Sequence, residues 1–493
     1  MLYCRTAVVL FVSLYTTRLL LKALGADDLG IYNVVGGVVA LMSFFRSSLS
    51  KATSRFITFE AGRNNDSNNL ARIFSSAMTI HIIITAAVFV LGETVGLLIL
   101  SYWTDIPETR QTAAFWVYQC SLVIFCIHIL SSPYEAIVIA YEKMSVFAYI
   151  SIFSAFSKLG IAIIMLNSAL DRLVLYGVLL VVMDMLVFIF YYIYDRKNYP
   201  IFRFHFNWDA EYSRRLLGFS GWTLLGSSAN AATQQGVSLL FNNFVGLVAN
   251  TALGFANQVS GAVSQFVHSF QTAFNPQIIK LYAQHELEQM HLLMIRSSKF
   301  CFLLAYLFAL PLIANMEFVL QLWLGEVPRY TVEFCQLILV CCVIDSTTGV
   351  FNTSITATGN IKGFQIGISI SFLLDLATAA VLLLLHMPAP LVFGSRILTR
   401  GLINMVIELY FVRKQLSFSL RKYLKAVLVP ISTILMVSVP LMWITISNLD
   451  GWRCFVVACV LSAILCAIVG WLVFLNKSEK HALIDTIKTR VMR

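Results

Sequence analysis

Four basic residues stand out for where they sit. Arg18 lies inside an apolar run, seven residues before Gly25, and Arg46, Arg55 and Lys280 lie where apolar runs give way to polar ones. A guanidinium is a planar fork of donors that matches phosphate oxygens two at a time, whereas an ammonium acts as a point charge. An ionisable residue in an apolar segment is costly, which makes it a functional hypothesis by default. For Arg18 the competing reading is a side chain that snorkels to the headgroups over the roughly 10 Å of helix rise to Gly25. Arg46, Arg55 and Lys280 have a plainer reading too, as anchors at a membrane surface. A second group is polar without charge: Asn230, Gln234, Gln235, Asn242, Asn257, Gln258 and Gln265 fall on two successive segments. Amides suit sugar hydroxyls, and in membranes they also join helices at about 0.6–2 kcal/mol each. So many on two neighbours exceeds what packing needs, which points to sugar binding.

A third group is charged at matched depth. Apolar runs at about 146–168 and 171–194 form a hairpin centred near Asp171, and Lys158 and Asp184 lie 13 residues either side of it. A second hairpin is centred near Pro388, with Asp375 13 residues before and Arg400 12 after. A lone charge at mid-membrane is expensive, and a pair at one depth is tolerable. The spacing therefore predicts two ion pairs, Lys158–Asp184 and Asp375–Arg400. Arg396, Arg400, Asn404 and Glu408 share one helix face, so Arg396 is an alternative partner for Asp375.

Catalytic patterns are missing. The chain has no HExxH, P-loop or dinucleotide fingerprint, and none of its ten cysteines stands in a CxxC spacing. His81, His128, His268 and His386 are scattered singly and read as packed or interfacial. No catalytic residue, metal site or cofactor is expected, and the chain reads as a protein other than an enzyme.

The elements that must position these residues follow from composition. Of 493 residues 59% are hydrophobic and 12% charged, against about 45–50% and about 25% in soluble chains. No soluble core of this size hides so much apolar side chain. Runs long enough to cross a hydrocarbon layer, about 17–25 residues, number fourteen: about 3–24, 29–52, 73–101, 112–132, 146–168, 171–194, 216–243, 249–272, 297–316, 333–355, 364–386, 390–412, 424–447 and 453–475. The first lacks an A-x-A site and carries Arg18, which predicts a retained span. No loop exceeds about thirty residues, so no extramembrane domain is expected. Assigning loops alternately puts 25 Lys and Arg on one side and 5 on the other. The basic side is cytoplasmic, both termini with it. That asymmetry accounts for the net charge of +10 without any nucleic-acid partner.

The chain also repeats itself. Leu24–Asn33 resembles Val245–Asn257, Leu100–Trp103 resembles Leu320–Trp323, and Ser132–Lys143 resembles Gly349–Asn360, at offsets of about 224, 220 and 217. The expected organisation is an N-terminal six-helix lobe at 1–195, a cytoplasmic linker at 196–215 and a C-terminal six-helix lobe at 216–413. Two additional helices at 424–475 and a cytoplasmic tail at 476–493 follow. Six helices per unit is even, so the repeat is parallel, and transporters of this build hold substrate between halves.

The segment from Arg18 through Asp27-Asp28-Leu29-Gly30 to Gly36-Gly37, with Asn275-Pro276 through Tyr282, resembles the bacterial polysaccharide-biosynthesis branch of the multidrug/oligosaccharidyl-lipid/polysaccharide exporter superfamily. The resemblance implies two six-helix bundles meeting in a V, in a bacterial cytoplasmic (inner) membrane. It implies a flippase that carries a polyprenyl-diphosphate-linked oligosaccharide to the periplasmic leaflet by alternating access. Its partners would be that lipid-linked oligosaccharide, membrane lipids and other polysaccharide-assembly membrane proteins. The driving force stays open between Na+ and H+, with Glu93, Asp184, Asp345, Asp375 and Glu408 as intramembrane acids. Within the superfamily the alternative is a cation-coupled multidrug exporter, which wants carboxylates where this chain has Arg18. A non-transporting scaffold or a polysaccharide polymerase is the alternative outside it.

Overall fold

The first helix, α1 (Leu2–Ala40), breaks its direction at Gly25, whose φ of 77° is cheap only for a residue without Cβ. The computed structural model describes residues 2–40, 43–63, 66–98, 107–166, 168, 170–206, 209–449 and 451–471. Among these every regular element is helical. The predicted tail at 476–493 and the Leu100–Trp103 arm of the repeat lie outside the described residues.

After α1 come α2 (Ser43–Arg63), α3 (Ser67–Leu91), which runs on into a π-helical turn at Gly92–Gly96, α4 (Gln111–Ala140), α5 (Met144–Leu166) and α6 (Arg172–Asn198). Next are α7 (Ala210–Phe244), α8 (Leu247–Ala283), α9 (Leu287–Ala314), α10 (Met316–Leu324), α11 (Thr331–Thr358) and α12 (Lys362–Leu384). α13 (Ala389–Gly394) leads through a π-helical stretch, Ile397–Leu402, into α14 (Ile403–Leu416), and α15 (Leu420–Tyr423), α16 (Val429–Asn448) and α17 (Gly451–Val469) complete the described chain.

Eleven helical stretches among the described residues are long and apolar enough to cross a membrane. α2, α7 and α8 are long enough, at 21, 35 and 37 residues, but α2 carries Arg46, Lys51, Arg55, Glu60 and Arg63, and α7 and α8 carry the Ser, Asn and Gln that keep them below that apolarity. This is the difference from fourteen. The predicted span 29–52 is divided between the second half of α1, which ends at Ala40, and the first half of α2, which runs on to Arg63, because a polar helix continues beyond the hydrocarbon edge at no cost. On α6 the opposite pattern holds: Val178, Val182, Leu186 and Phe190, at four-residue spacing, are 44–51% exposed. An apolar stripe of that length fits lipid and would be a liability in water.

The chain forms two compact units, Met1–Ser228 with Ile279–His285, and Ala229–Ile278 with Glu286–Arg493. The division falls inside α7 rather than at the predicted 196–215 linker, and the last turn of α8 joins the first unit.

In the first unit α4 packs along α6 and α2, and α1 along α5. Val35, Val117, Leu122 and Met165 form one fully buried core, and Ile57, Leu70, Phe74 and Ile137 another. The Tyr118 hydroxyl donates to Gly92 O at 2.7 Å, satisfying a carbonyl where the π turn departs from the regular ladder. Asp171 caps α6 by accepting from the Leu173 and Val174 amides. Its other oxygen, at 2.7 Å, and Asp28 both take Arg110, which ties α1, α4 and α6 together at one end. Asp209 caps α7 in the same way, and bonds from the Tyr212 and Glu211 amides and from Arg72 hold its carboxyl below the usual range.

Gly62 carries a close approach of α2 to the backbone of α8. A Cβ there would stand 2.7 Å from Lys280 Cα, and a backbone atom cannot swing aside. Gly62→Ala should therefore lower stability by about 1–3 kcal/mol, and Gly62→Leu should leave little folded protein. Thermal unfolding of the purified variants, followed by light scattering, measures both.

In the second unit the core gathers Phe241, Phe334 and Phe393, with the last two stacked at 4.5 Å. α9 packs on α11 and α17, and α11 on α14. The Thr353 hydroxyl donates to Asn275 Oδ1 at 2.9 Å, joining α11 to α8.

Candidate functional site

In the first unit three helices bring one polar side chain each to the middle of the bundle. Arg46 enters from the first turn of α2, His128 from the centre of α4 and Asp184 from the centre of α6. Arg46 Nη1 lies 3.4 Å from His128 Nδ1, and His128 Nε2 lies 3.2 Å from Asp184 Oδ1. A guanidinium only donates. The Nδ1 atom must therefore accept, which leaves the ring proton on Nε2, pointing at Asp184. Glu135, two turns along α4, lies near Arg46 and His128.

These contacts revise one expectation. Lys158 is exposed on α5 and is not within 4.0 Å of Asp184, which takes His128 instead. α2 continues about five turns beyond Arg46, to Arg63.

The other cations of this unit are held differently. Arg55 is buried, and its guanidinium lies over the rings of Phe56 and Phe59, 4.7 Å from each centroid. Lys280, on the last turn of α8, donates to Glu142 Oε1 at 2.7 Å. Arg18 is exposed on α1, as is Lys51 on α2. Arg5 is buried, donating to Ser151 Oγ at 3.3 Å with Phe147 beneath it.

The second unit holds the amides and the other ion pair. Asp375 is fully buried on α12 and accepts from Arg396 Nε at 3.2 Å and from Thr399 Oγ1 at 2.7 Å. The predicted Asp375–Arg400 pair is replaced by the alternative, Arg396. The π-helical stretch that follows carries Arg400 to a different partner: its Nη2 donates to Asn230 Oδ1 at 2.9 Å, with the guanidinium over Phe372. Gln234 Nε2 reaches the same Asn230 oxygen at 3.5 Å. Gln234, Gln235, Asn257, Gln258 and Gln265 are exposed, and Asn242 is half-buried. Of this group, then, Asn230 works within the unit as an acceptor for Arg400 and Gln234, and Gln235, Asn257, Gln258 and Gln265 stand exposed.

The remaining acids also have defined surroundings. Gln119 donates to Glu93 at 3.2 Å, Glu408 is buried beside Thr348, and Asp345 is exposed. The sequence analysis read His128 as packed or interfacial and passed over Glu142. For His128 the signal was a histidine inside the apolar span 112–132 together with an acid at the centre of span 171–194.

A family model described as polysaccharide biosynthesis protein matches residues 6–282. No curated protein matches the chain. Among solved structures, the crystal structure of a mutant MATE superposes with a TM-score of 0.75 at 11% identity, covering 84% of this chain and 95% of that one. A multidrug resistance MATE family transporter of the MOP superfamily, in an outward-facing conformation, gives 0.69 at 13% identity, with 84% and 94% covered. A MOP superfamily transporter from Pyrococcus furiosus, described as having a binding pocket of reverse polarity that suggests a different function, gives 0.72 at 11% identity, with 84% and 94% covered. At these identities the likeness is one of fold. The chain is a multi-pass membrane protein with a MATE-like fold.

Proposed function

The chain belongs to the polysaccharide biosynthesis protein family, and from that premise we propose that it is a flippase for a polyprenyl-diphosphate-linked oligosaccharide. It carries its cargo from the cytoplasmic to the periplasmic leaflet of a bacterial inner membrane by alternating access, with both termini cytoplasmic. A diphosphate and its sugars cannot cross hydrocarbon unaided, since each buried charge and each unpaired polar group costs several kcal/mol or more. The protein must supply cations for the diphosphate and amides or hydroxyls for the sugars.

The observation that carries this reading is the sign of the first two helices. From Leu2 to Arg63 the basic residues are Arg5, Arg18, Lys22, Arg46, Lys51, Arg55 and Arg63, against three acids, Asp27 and Asp28 beside the Gly25 kink and Glu60 near the end of α2. An exporter of organic cations wants the reverse. For the Pyrococcus transporter a binding pocket of reverse polarity suggests a different function within the MOP superfamily, which supports reading charge as cargo. The exposed amides Gln234, Gln235, Asn257 and Gln258 are the proposed sugar partners.

Deleting the gene should make lipid-linked glycan accumulate on the cytoplasmic face. Unchanged glycan export, with new sensitivity to organic cations, would favour the multidrug reading. Within this proposal Arg18→Ala should abolish export with normal membrane insertion, and Arg18→Lys should retain part of it, since Lys keeps the charge and loses the fork. Full export in Arg18→Ala would mean the side chain merely snorkels.

A further inference from the structure

We propose that His128 is a proton-operated latch on Arg46, so that proton uptake by the imidazole frees the guanidinium to take the anionic group of the cargo. This inference rests on the flippase reading for the identity of the anion and on geometry alone for the latch. In the arrangement present, Arg46 donates to Nδ1 at 3.4 Å, and Nε2 faces Asp184 Oδ1 at 3.2 Å. The neutral ring is the only form that fits both neighbours at once. A proton added to the ring goes to Nδ1, the one nitrogen without hydrogen. That atom then points an N–H at a guanidinium that has no lone pair to receive it. The contact with Arg46 turns from a hydrogen bond into a meeting of two cations, while the contact with Asp184 becomes a charge-assisted pair. Arg46 leaves and His128 stays.

The surroundings permit this. The His128 side chain is 32% exposed, so a proton can reach it, and Asp184 is 12% exposed, so the carboxylate is held in place. Among the described residues, α4's neighbours bring these groups near. α2 contributes Arg46 itself; α6 contributes Asp184 and, one helical stretch further, Tyr191, which lies close to Glu135, Asp195, Arg5 and Arg46. α1 contributes Arg5 and Tyr32, the latter near Asp184 and bonded to Tyr176. α3 contributes His81, fully buried and bonded to its own helix at Ala77 O, 2.8 Å away. α5 contributes Lys158, which is exposed. On α4, Glu135 stands two turns from His128, a resting place for the released guanidinium when no cargo is bound. Protonation thus exchanges one neutral relay for an ion pair plus a mobile cation, and it does so on α2, one of the two helices that carry the cationic residues proposed for the cargo.

The test uses the purified full-length chain in detergent and inorganic diphosphate as the probe. Calorimetric titration at pH 7 in buffers of different ionisation enthalpy counts the protons taken up on binding. His128→Gln and His128→Asn both keep an acceptor for Arg46 and a donor for Asp184 but cannot take a proton. Using two variants guards against a folding defect in either. Wild type should take up protons that both variants fail to take up, and both variants should bind diphosphate about tenfold or more weakly, since their latch stays shut. Subtracting the variants from wild type removes the probe's own protonation. Arg46→Gln should bind weakly and also lose the extra proton. Equal proton counts in wild type and the His128 variants would overturn the latch, as would absence of diphosphate binding by wild type. The two proposals fail separately. Proton linkage without glycan accumulation in the deletion strain would leave the latch and remove the flippase, and glycan accumulation with equal proton counts would do the reverse.

Discussion

Asp375→Ala should cost about 3–5 kcal/mol of stability, the range for removing one partner of a buried ion pair. Against a total of about 5–15 kcal/mol for a folded domain, most of the protein should be lost from the membrane. The reason is what remains. Asp375 is fully buried and Arg396 only 9% exposed, so the guanidinium would be left with Phe393 beneath it and no carboxylate. Thr399 Oγ1 would lose its acceptor as well. Exchanging the charges, Asp375→Arg with Arg396→Asp, should restore part of the yield, and the same exchange with Arg400 should not. Fluorescence-detected size-exclusion of tagged variants measures this directly. An Asp375→Ala variant with wild-type yield and an unchanged elution profile would show that the pair is dispensable.

The second large effect concerns activity without stability. Arg46→Ala should leave folding near wild type, because His128 and Asp184 keep each other at 3.2 Å and Arg46 itself is only half-buried. It should nevertheless abolish glycan export. One charge-assisted contact to the diphosphate is worth about 1.5–3 kcal/mol, so cargo affinity should fall by roughly tenfold to a hundredfold, as 1.4 kcal/mol is tenfold. Arg46→Lys should keep an intermediate level. Export rates in a complemented deletion strain, normalised to membrane yield, give the comparison. Wild-type export by Arg46→Ala would remove Arg46 from the cargo path.

Much of the architecture was legible because hydrocarbon imposes a length and an apolarity that few other environments demand. The stripe on α6 and the caps at Asp171 and Asp209 follow from residue type and spacing. The polar helices were harder. α7 and α8 carry amides at an interval that hides their apolar face from a hydropathy window, and α2 runs on to Arg63 because helix propensity continues after hydropathy stops. The ion pairs were legible as a principle and not as partners. Matched depth identified Asp184 and Asp375 as acids that need a donor, but it assumed that helices adjacent in sequence pair most closely. α6 instead packs chiefly on α4, so Asp184 meets His128. Near Arg400 the π-helical stretch rotates the following side chains, and Arg396 reaches Asp375 while Arg400 reaches Asn230.

The central claim is that the chain moves a lipid-linked diphosphate sugar between leaflets, and reconstitution measures it most directly. Liposomes containing the purified protein and a short polyprenyl-diphosphate oligosaccharide with a fluorescent sugar are treated with a membrane-impermeant quencher. In wild-type liposomes essentially all the fluorescence should be lost with time, as the inner-leaflet half crosses to the quencher. Protein-free and Arg46→Ala liposomes should keep about half, the share that starts on the inner leaflet. A protected half that persists in wild-type liposomes, under either a Na+ or a H+ gradient, while an organic cation such as ethidium crosses the same membrane, would contradict the account.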